Sequence, residues 1–227
     1  MWIATGVEPS PQIDDIERLA ARRRARVLTV SRRRLESAAR TDAPQGVLAR
    51  ADPLPDVDLA GLAHARSGVT AFVLVVDGVT DPHNLGALLR VAECAGVTGV
   101  VLPRHRAVHV TPTVAKVAAG AVEHLPMALV PGVHSALKAL TTLGVASIGL
   151  DAGAPLSLFD VGSEATGPVA LVVGAEGRGL AALTRKRCTT VAAIPQFGAV
   201  GSLNVATAGA VACFELARRR AVTDTRR

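Results

Sequence analysis

From Phe72 onward, short continuous apolar runs alternate with segments in which apolar residues recur every three or four positions. The runs Phe72–Val76, Gly99–Leu102, Met127–Val130, Val145–Leu150, Val169–Val173 and Thr190–Ile194 predict strands, and the continuity of their hydrophobicity predicts burial on both faces. Between them the spacing predicts helices over Leu85–Ala95, Pro112–Ala118 and Val133–Leu143, and a long final helix over Val205–Arg219. Strands that alternate with helices in this rhythm make an α/β domain, a parallel sheet covered by helices on both faces.

The first third has a different texture. Ile13, Ile16, Leu19 and Ala20 share one helical face over Ile13–Ala25, with Arg18, Arg22 and Arg23 elsewhere on it. Val27–Val30 and Gln45–Ala49 read as strands, and Ser31 as a helix start. Asp52-Pro-Leu-Pro-Asp56 has the composition of a linker, with a boundary following near Gly68. The chain is therefore expected to divide into residues 1–66, a small α/β domain with its linker, residues 67–220, the main domain, and a tail over residues 221–227.

Of the 227 residues 49% are hydrophobic, enough for a sizeable core, and the formal charge of +6 points to a polyanionic partner. Four Phe, one Trp and no Tyr leave little material for a base-stacking platform, so an RNA partner would be held mainly through phosphates, shape and 2′-hydroxyls. Arg22-Arg-Arg-Ala-Arg26 and Arg32-Arg-Arg34 are the candidate phosphate contacts, with Arg104 and Arg106 as a second cluster. Cys94, Cys188 and Cys213 have no metal-ligand spacing and read as buried thiols of a reducing cytosol. The six histidines are equally scattered, so no metal is expected. The uncharged stretch from Gly198 to Phe214 is short for a membrane span and carries Ser202, Asn204, Thr207 and three glycines, which makes it a buried helix of a soluble, cytoplasmic protein.

Three islands carry the polar residues that could do chemistry. Asp77-Gly-Val-Thr-Asp-Pro-His-Asn84 leaves a strand and leads into Leu-Gly-Ala-Leu-Leu-Arg90; Leu171-Val-Val-Gly-Ala-Glu-Gly-Arg-Gly-Leu180 follows another strand; Ile194-Pro-Gln leads to Gly201-Ser-Leu-Asn-Val205. Parallel sheets present reactive groups at such places, the carboxyl ends of their strands. The second island is no dinucleotide fingerprint, because its glycines fall in the order Gly-x-x-Gly-x-Gly and Glu176 would repel a phosphate. Asn84, Ser202 and Asn204 taken singly are also ordinary helix-start residues.

In order and spacing these islands resemble the three signature motifs of the SpoU/TrmH family, S-adenosylmethionine-dependent RNA ribose 2′-O-methyltransferases of the SPOUT class; the resemblance covers about Phe72 to Glu215. It implies a C-terminal trefoil knot, a homodimer with the site near the subunit interface, and RNA as substrate, a guanosine of large-subunit ribosomal RNA in the most similar members. A transfer-RNA enzyme, a methyltransferase conferring antibiotic resistance, or a non-catalytic RNA-binding assembly factor would be alternatives. It assigns Asn84, Arg90, Glu176, Ser202 and Asn204 to catalysis, and the backbone of Gly174, Ile194 and Leu203 to S-adenosylmethionine. Arg90 would hold a phosphate and stabilise an alkoxide, since a guanidinium stays protonated. Gln196 stands where relatives carry Met. The family's amino-terminal, ribosomal-protein-like module is similar to residues 1–66, with Trp2–Thr5 as its second strand and its opening strand and helix missing. That loss would leave a sheet edge uncovered. Arg22, Arg23, Arg24, Arg32 and Arg33 would be its RNA contacts.

Overall fold

The computed structural model describes residues 1–41, 44–64, 68–105 and 107–224; Arg106 and the last three residues of the predicted tail lie outside them. Two compact units emerge, residues 1–53 and residues 54–227.

In the smaller unit β1 (Trp2–Ala4) is the middle of three strands, parallel to β2 (Leu28–Val30) and antiparallel to β3 (Val47–Leu48). Helix α1 (Pro11–Arg22) starts at Ser10, whose hydroxyl accepts the Ile13 N–H at 3.4 Å, with Pro11 in the first helical turn. It ends on Arg24 in the left-handed conformation at φ 54°, where the Ala25 N–H reaches back to Ala20 O and the Arg24 N–H to Ala21 O. Ser31 caps α2 (Arg32–Ala38). The buried core is Ala4, Val30 and Leu35, flanked by Trp2, Val7 and Leu48. Leu19 is 54% exposed, so the apolar stripe of α1 is only partly covered.

The larger unit contains the predicted parallel sheet. Strands β4 (Phe72–Asp77), β5 (Gly99–Pro103), β6 (Met127–Val130), β7 (Ala146–Leu150), β8 (Val169–Gly174) and β9 (Thr190–Ala192) run in the order β6-β5-β4-β8-β7-β9, all parallel. Side chains alternate between two cores. Phe72, Leu74, Val76, Leu171 and Val173 face the layer of α4 (Pro82–Cys94), α5 (Pro112–Val117) and α8 (Val205–Asp224). Val73, Val75, Ala170 and Val172 face the layer of α3 (Leu59–Ala63) and α6 (Val133–Thr142). A further short helix, α7 (Ala182–Arg187), packs beside α6. Each fully buried Leu or Val in these cores contributes about 1.5–3 kcal/mol.

Several boundaries differ from those expected. Helix α4 begins three residues earlier because Asp81 caps it and Pro82 fixes its first φ. The acidic, Pro-rich stretch read as linker is partly built into the sheet's edge: the Val57 N–H bonds Met127 O at 2.9 Å, the Asp56 carboxylate accepts the Leu129 N–H at 2.9 Å, and Arg104 pairs with Asp56 at 3.2 Å. Helix α3 follows at once and buries Leu62. Helix α8 continues past Arg219 to Asp224. Of the thiols, Cys213 is buried and Cys188 half-buried, but Cys94 is exposed, contrary to its expected burial. Burial pushes Cys213 up to about 12; burial and the Asp77 carboxylate push Cys188 up to about 11, so neither is a thiolate at neutral pH. Among the described residues no helix is long and apolar enough to cross a membrane, and no group of His, Cys, Asp or Glu is arranged to hold a metal ion.

Candidate functional site

In the sheet order, the chain leaves β4 towards β5 on one side, while β8 and β7 lie on the other. Ligands of open parallel sheets collect at such a reversal, beyond the carboxyl ends of the strands. The loop after β4 brings Asp77, Asp81 and Asn84 there, and the loop after β8 brings Glu176. The connection from β9 to α8 brings Gln196, Ser202 and Asn204.

These loops are shaped by close backbone contact. The segment after β8 folds back so that Ala175 and Gly179 exchange N–H···O bonds at 3.0 and 2.9 Å. A Cβ on Gly174 would lie 2.2 Å from the Gly179 carbonyl carbon, so only glycine fits. The Asp77 carboxylate accepts the Ala181 N–H at 3.0 Å and ties the end of this loop to β4. On the helical side, α8 crosses α4 closely enough that a Cβ on Gly209 would meet Leu88 at 2.3 Å.

The polar groups converge on one carboxylate oxygen. Glu176 Oε1 accepts from Asn84 Nδ2 and, at 3.2 Å, from Asn204 Nδ2. Asn204 Nδ2 also donates to Asn84 Oδ1 at 3.0 Å, and Asn84 Nδ2 to Asp81 Oδ2 at 3.1 Å. Asn204 caps α8 at the same time, its Oδ1 accepting the Ala206 N–H at 2.8 Å and the Thr207 N–H at 3.4 Å. The capping and the site-building roles of Asn204 are thus both realised. Asn84 is in the first turn of α4 but does not cap it; Asp81 does. Both amides are consumed in holding Glu176. Its Oε2 has no partner among the described residues and is left to accept a hydrogen bond or a proton from outside.

Beside this cluster lies a cavity of about 550 Å³. Leu150, Val173 and Val205 give it apolar wall; Asp151 and Glu176 line it with carboxylates and Arg178 with a guanidinium. Gly174, Ile194 and Leu203, expected to hold a cofactor, line it, as do Ser202, Asn204 and Gln196. Asn84 does not, but touches Glu176 and Asn204, which do. Arg90 is the expected catalytic residue that the fold does not bring to the cluster: it is exposed, does not line the cavity, and has no hydrogen-bond or ion-pair partner among the described residues. Six residues make about 1.7 helical turns, so Arg90 projects from a different face of α4 than Asn84. His83 is exposed, its ring nitrogen 3.3 Å from Asp81.

Sequence reasoning missed Asp81 and Asp151. Asp81 was signalled by the Asp-Pro pair that opens a helix. Asp151 pairs with Arg185 of α7 at 2.8 Å while lining the cavity, and nothing in its neighbourhood marks it. In the smaller unit Arg22, Arg23, Arg24, Arg32 and Arg33 are all exposed. The first two occupy the carboxyl end of α1, where the helix dipole favours cations. Arg32 and Arg33 occupy the amino end of α2, where it disfavours them. Arg34 stacks on Trp2 at 5.1 Å.

Both units of the chain are similar to known proteins. Residues 71–214 match the SpoU rRNA Methylase family, and residues 1–57 match the RNA 2′-O ribose methyltransferase substrate binding family. The 23S rRNA (guanosine-2′-O-)-methyltransferase RlmB of Ralstonia nicotianae is 41% identical over 216 residues, 95% of this chain and 86% of the relative. Among solved structures, the AdoMet-bound rRNA methyltransferase of Sinorhizobium meliloti superposes with a TM-score of 0.72 at 25% identity, covering 96% of this chain and 79% of its own. The SpoU methyltransferase AviRb of Streptomyces viridochromogenes has the same fold, with a TM-score of 0.76 at 24% identity and coverage of 97% and 82%.

Proposed function

The chain belongs to the SpoU rRNA methylase family, and from that membership we propose that it methylates the ribose 2′-hydroxyl of a guanosine in 23S ribosomal RNA, using S-adenosylmethionine, in the cytoplasm. The observation that carries this reading is the joining of Asn84, Glu176 and Asn204, from three distant segments, at the mouth of one cavity.

The cavity suits the cofactor in size, in its apolar wall, and in the carboxylates it offers a cation. Backbone groups of Gly174, Ile194 and Leu203 would hold the adenosyl portion. When bound, S-adenosylmethionine supplies a methyl group on a sulfonium, whose thioether leaves readily. What the protein must add is alignment of the ribose and help with its proton. The two asparagine amides fix Glu176 so that its second oxygen can orient the incoming hydroxyl, with Ser202 beside it. Arg90 holds the adjoining phosphate and stabilises the oxygen as it gains negative charge, which requires no neutral guanidine.

Two further features belong to the reading. The passage from β9 to α8 threads a loop to make a trefoil knot; in support, β9 lies at the sheet edge beyond β7, whereas α8 returns to pack on α4. The working enzyme is a homodimer with its site near the subunit interface, which accords with Arg90 standing off the cavity wall and with Phe214 of α8 being 51% exposed; Val211 is only partly covered, and Leu216 is core. The smaller unit grips RNA through Arg22, Arg23, Arg24, Arg32 and Arg33. Supporting this are its match over residues 1–57 and the placing of Arg32 and Arg33 at a helix end that disfavours cations.

Labelled methyl transfer to unmodified 23S rRNA, with the modified nucleotide mapped, tests the proposal. The wild type should label one guanosine; Arg90→Lys should lower kcat on the order of 100-fold with cofactor affinity little changed, and Glu176→Gln should lower kcat similarly and weaken cofactor binding as well. Methylation of a base, of transfer RNA alone, or near-normal turnover by both variants would refute it.

A further inference from the structure

Phe197 is 97% exposed, an aromatic ring standing almost wholly in water on the connection between β9 and α8. Gln196 before it and Ser202 after it both line the cavity, so whatever covers the ring also stands near the cavity's mouth. Its flanks are open: Gly198 and Ala199 follow, and a Cβ built on Gly198 or Gly201 would meet nothing within 4 Å. The segment that carries it has charge of one sign, although Glu176 and Asp151 line the cavity beside it. Residues 177–214 contain no Asp or Glu but do contain Arg178, Arg185, Lys186 and Arg187. Arg178 lines the same cavity, and the side chains of Arg178, Lys186 and Arg187 are exposed and without hydrogen-bond or ion-pair partners among the described residues.

A flat apolar ring with open flanks, near a cavity lined by the unpaired Arg178, has the composition of a single-base contact in nucleic-acid binding. Arg178 at the cavity and the chain's formal charge of +6 suit a polyanion there. We infer that Phe197 stacks on a nucleobase of the RNA adjoining the ribose held at Glu176. The inference rests on the reading of the chain as an RNA methyltransferase and adds a substrate-binding residue to it.

The test uses the full chain, an unmodified 23S rRNA transcript, and Phe197→Ala, Phe197→Leu and Phe197→Trp. Phe197→Ala should raise KM for the transcript roughly ten-fold, leaving kcat and the calorimetric Kd for S-adenosylmethionine unchanged. Phe197→Trp should restore the wild-type KM, whereas Phe197→Leu, apolar but not aromatic, should not. With S-adenosylhomocysteine present, the added indole of Phe197→Trp should be quenched by the transcript beyond the response of wild type, whose single indole is Trp2. An unchanged KM in Phe197→Ala, or full rescue by leucine, overturns the inference. So does indole emission that varies with protein concentration and not with RNA, which would place a second copy over the ring. If the wild type methylates no position of the transcript, the proposed function fails separately, and the quenching titration alone decides the stacking.

Discussion

The two units of this protein are stabilised in different ways. In the larger one, a six-stranded sheet is sealed on both faces, with Val73, Leu74, Val75, Leu171 and Val172 at 0% exposure. The smaller one closes around a thin core cluster of Ala4, Val30 and Leu35 and leaves Leu19 and Leu28 in solvent at 54% and 37%. Its order depends heavily on local devices: the Ser10 and Ser31 caps, the left-handed turn at Arg24, and the Trp2–Arg34 stack. Deep burial can hold loops at backbone contact, as the Gly174 loop requires, whereas a thin core frees surface for cations. Units of this size are marginal even when well packed. Chemistry that needs tight positioning thus sits on the rigid unit, and the cations read as RNA contacts sit on the shallow one.

The largest effect that would sharpen this contrast is expected at Gly174. Alanine there places a methyl group 2.2 Å from the Gly179 backbone, and the loop has no flexible side chain that could give way. Overpacking of this kind costs about 1–3 kcal/mol. Because the strain falls on a cavity-lining loop, cofactor affinity measured by calorimetry should drop on the order of 100-fold. Hydrogen exchange in residues 1–41 should not change. Near-wild-type affinity would mean that the loop is looser than its hydrogen bonds imply.

Next comes Leu35, which is 1% exposed at the centre of the small core. Leu35→Ala should cost about 2–5 kcal/mol, enough to unfold a marginal unit. Hydrogen exchange resolved by mass spectrometry should show residues 1–41 losing protection while β4 and β8 keep theirs, with cofactor binding intact. Leu89→Ala, in the large core at 0% exposure, should lower the larger unit's stability by a similar amount without unfolding it. A single melting transition that both variants shift together would erase the distinction between the units.

The sequence made the larger unit legible for a physical reason. Buried parallel strands are continuous apolar runs, and β4, β6 and β8 begin at the residues where those runs begin. What it hid depended on long-range contact. Helix α7 has six residues, no side-chain cap and little apolar period, so nothing local announces it. That Glu176 is held jointly by Asn84 and Asn204 could not be read from spacing, because the separations of 92 and 28 residues are set by the sheet order. Asn84 and Arg90 share one motif, but their separation by six positions sends the two side chains to different faces of α4. Asp81 was eclipsed by Asn84, although the Asp-Pro pair before it is the stronger helix-start signal.

A smaller effect tests the division of labour itself. Reversing Arg22, Arg23 and Arg24 together to Glu should flatten the dependence of RNA affinity on salt, by about 0.7–0.9 in log–log slope for each phosphate that no longer has a cation beside it. Cofactor affinity should stay the same. An unchanged slope would leave these residues to solvent, where the dipole at the carboxyl end of α1 already accounts for two of them. The same reversal at Arg32 and Arg33 would then be decisive, since the amino end of α2 gives cations no local support.

The smallest expected effect is at the far end of the larger unit. Glu215 is held by Arg218 at 2.9 Å and Arg219 at 2.7 Å, and these guanidinium hydrogen bonds pull its carboxyl down to about 2 from an ordinary 4.5. Arg219 also donates to the carbonyls of Phe159 and Val161, so the pair fastens α8 to the segment before β8. A carboxyl whose folded value is depressed stabilises the fold above its unfolded value, and that contribution fades as pH falls through the folded one. Denaturant unfolding followed from about pH 6 to pH 2 should therefore show wild type losing stability relative to Glu215→Gln between roughly pH 4.5 and pH 2, with a constant gap above that window. Parallel curves across the whole range would mean that the two arginines find other acceptors when the carboxylate is gone, and that α8 is anchored by Leu216 and Cys213 in the core.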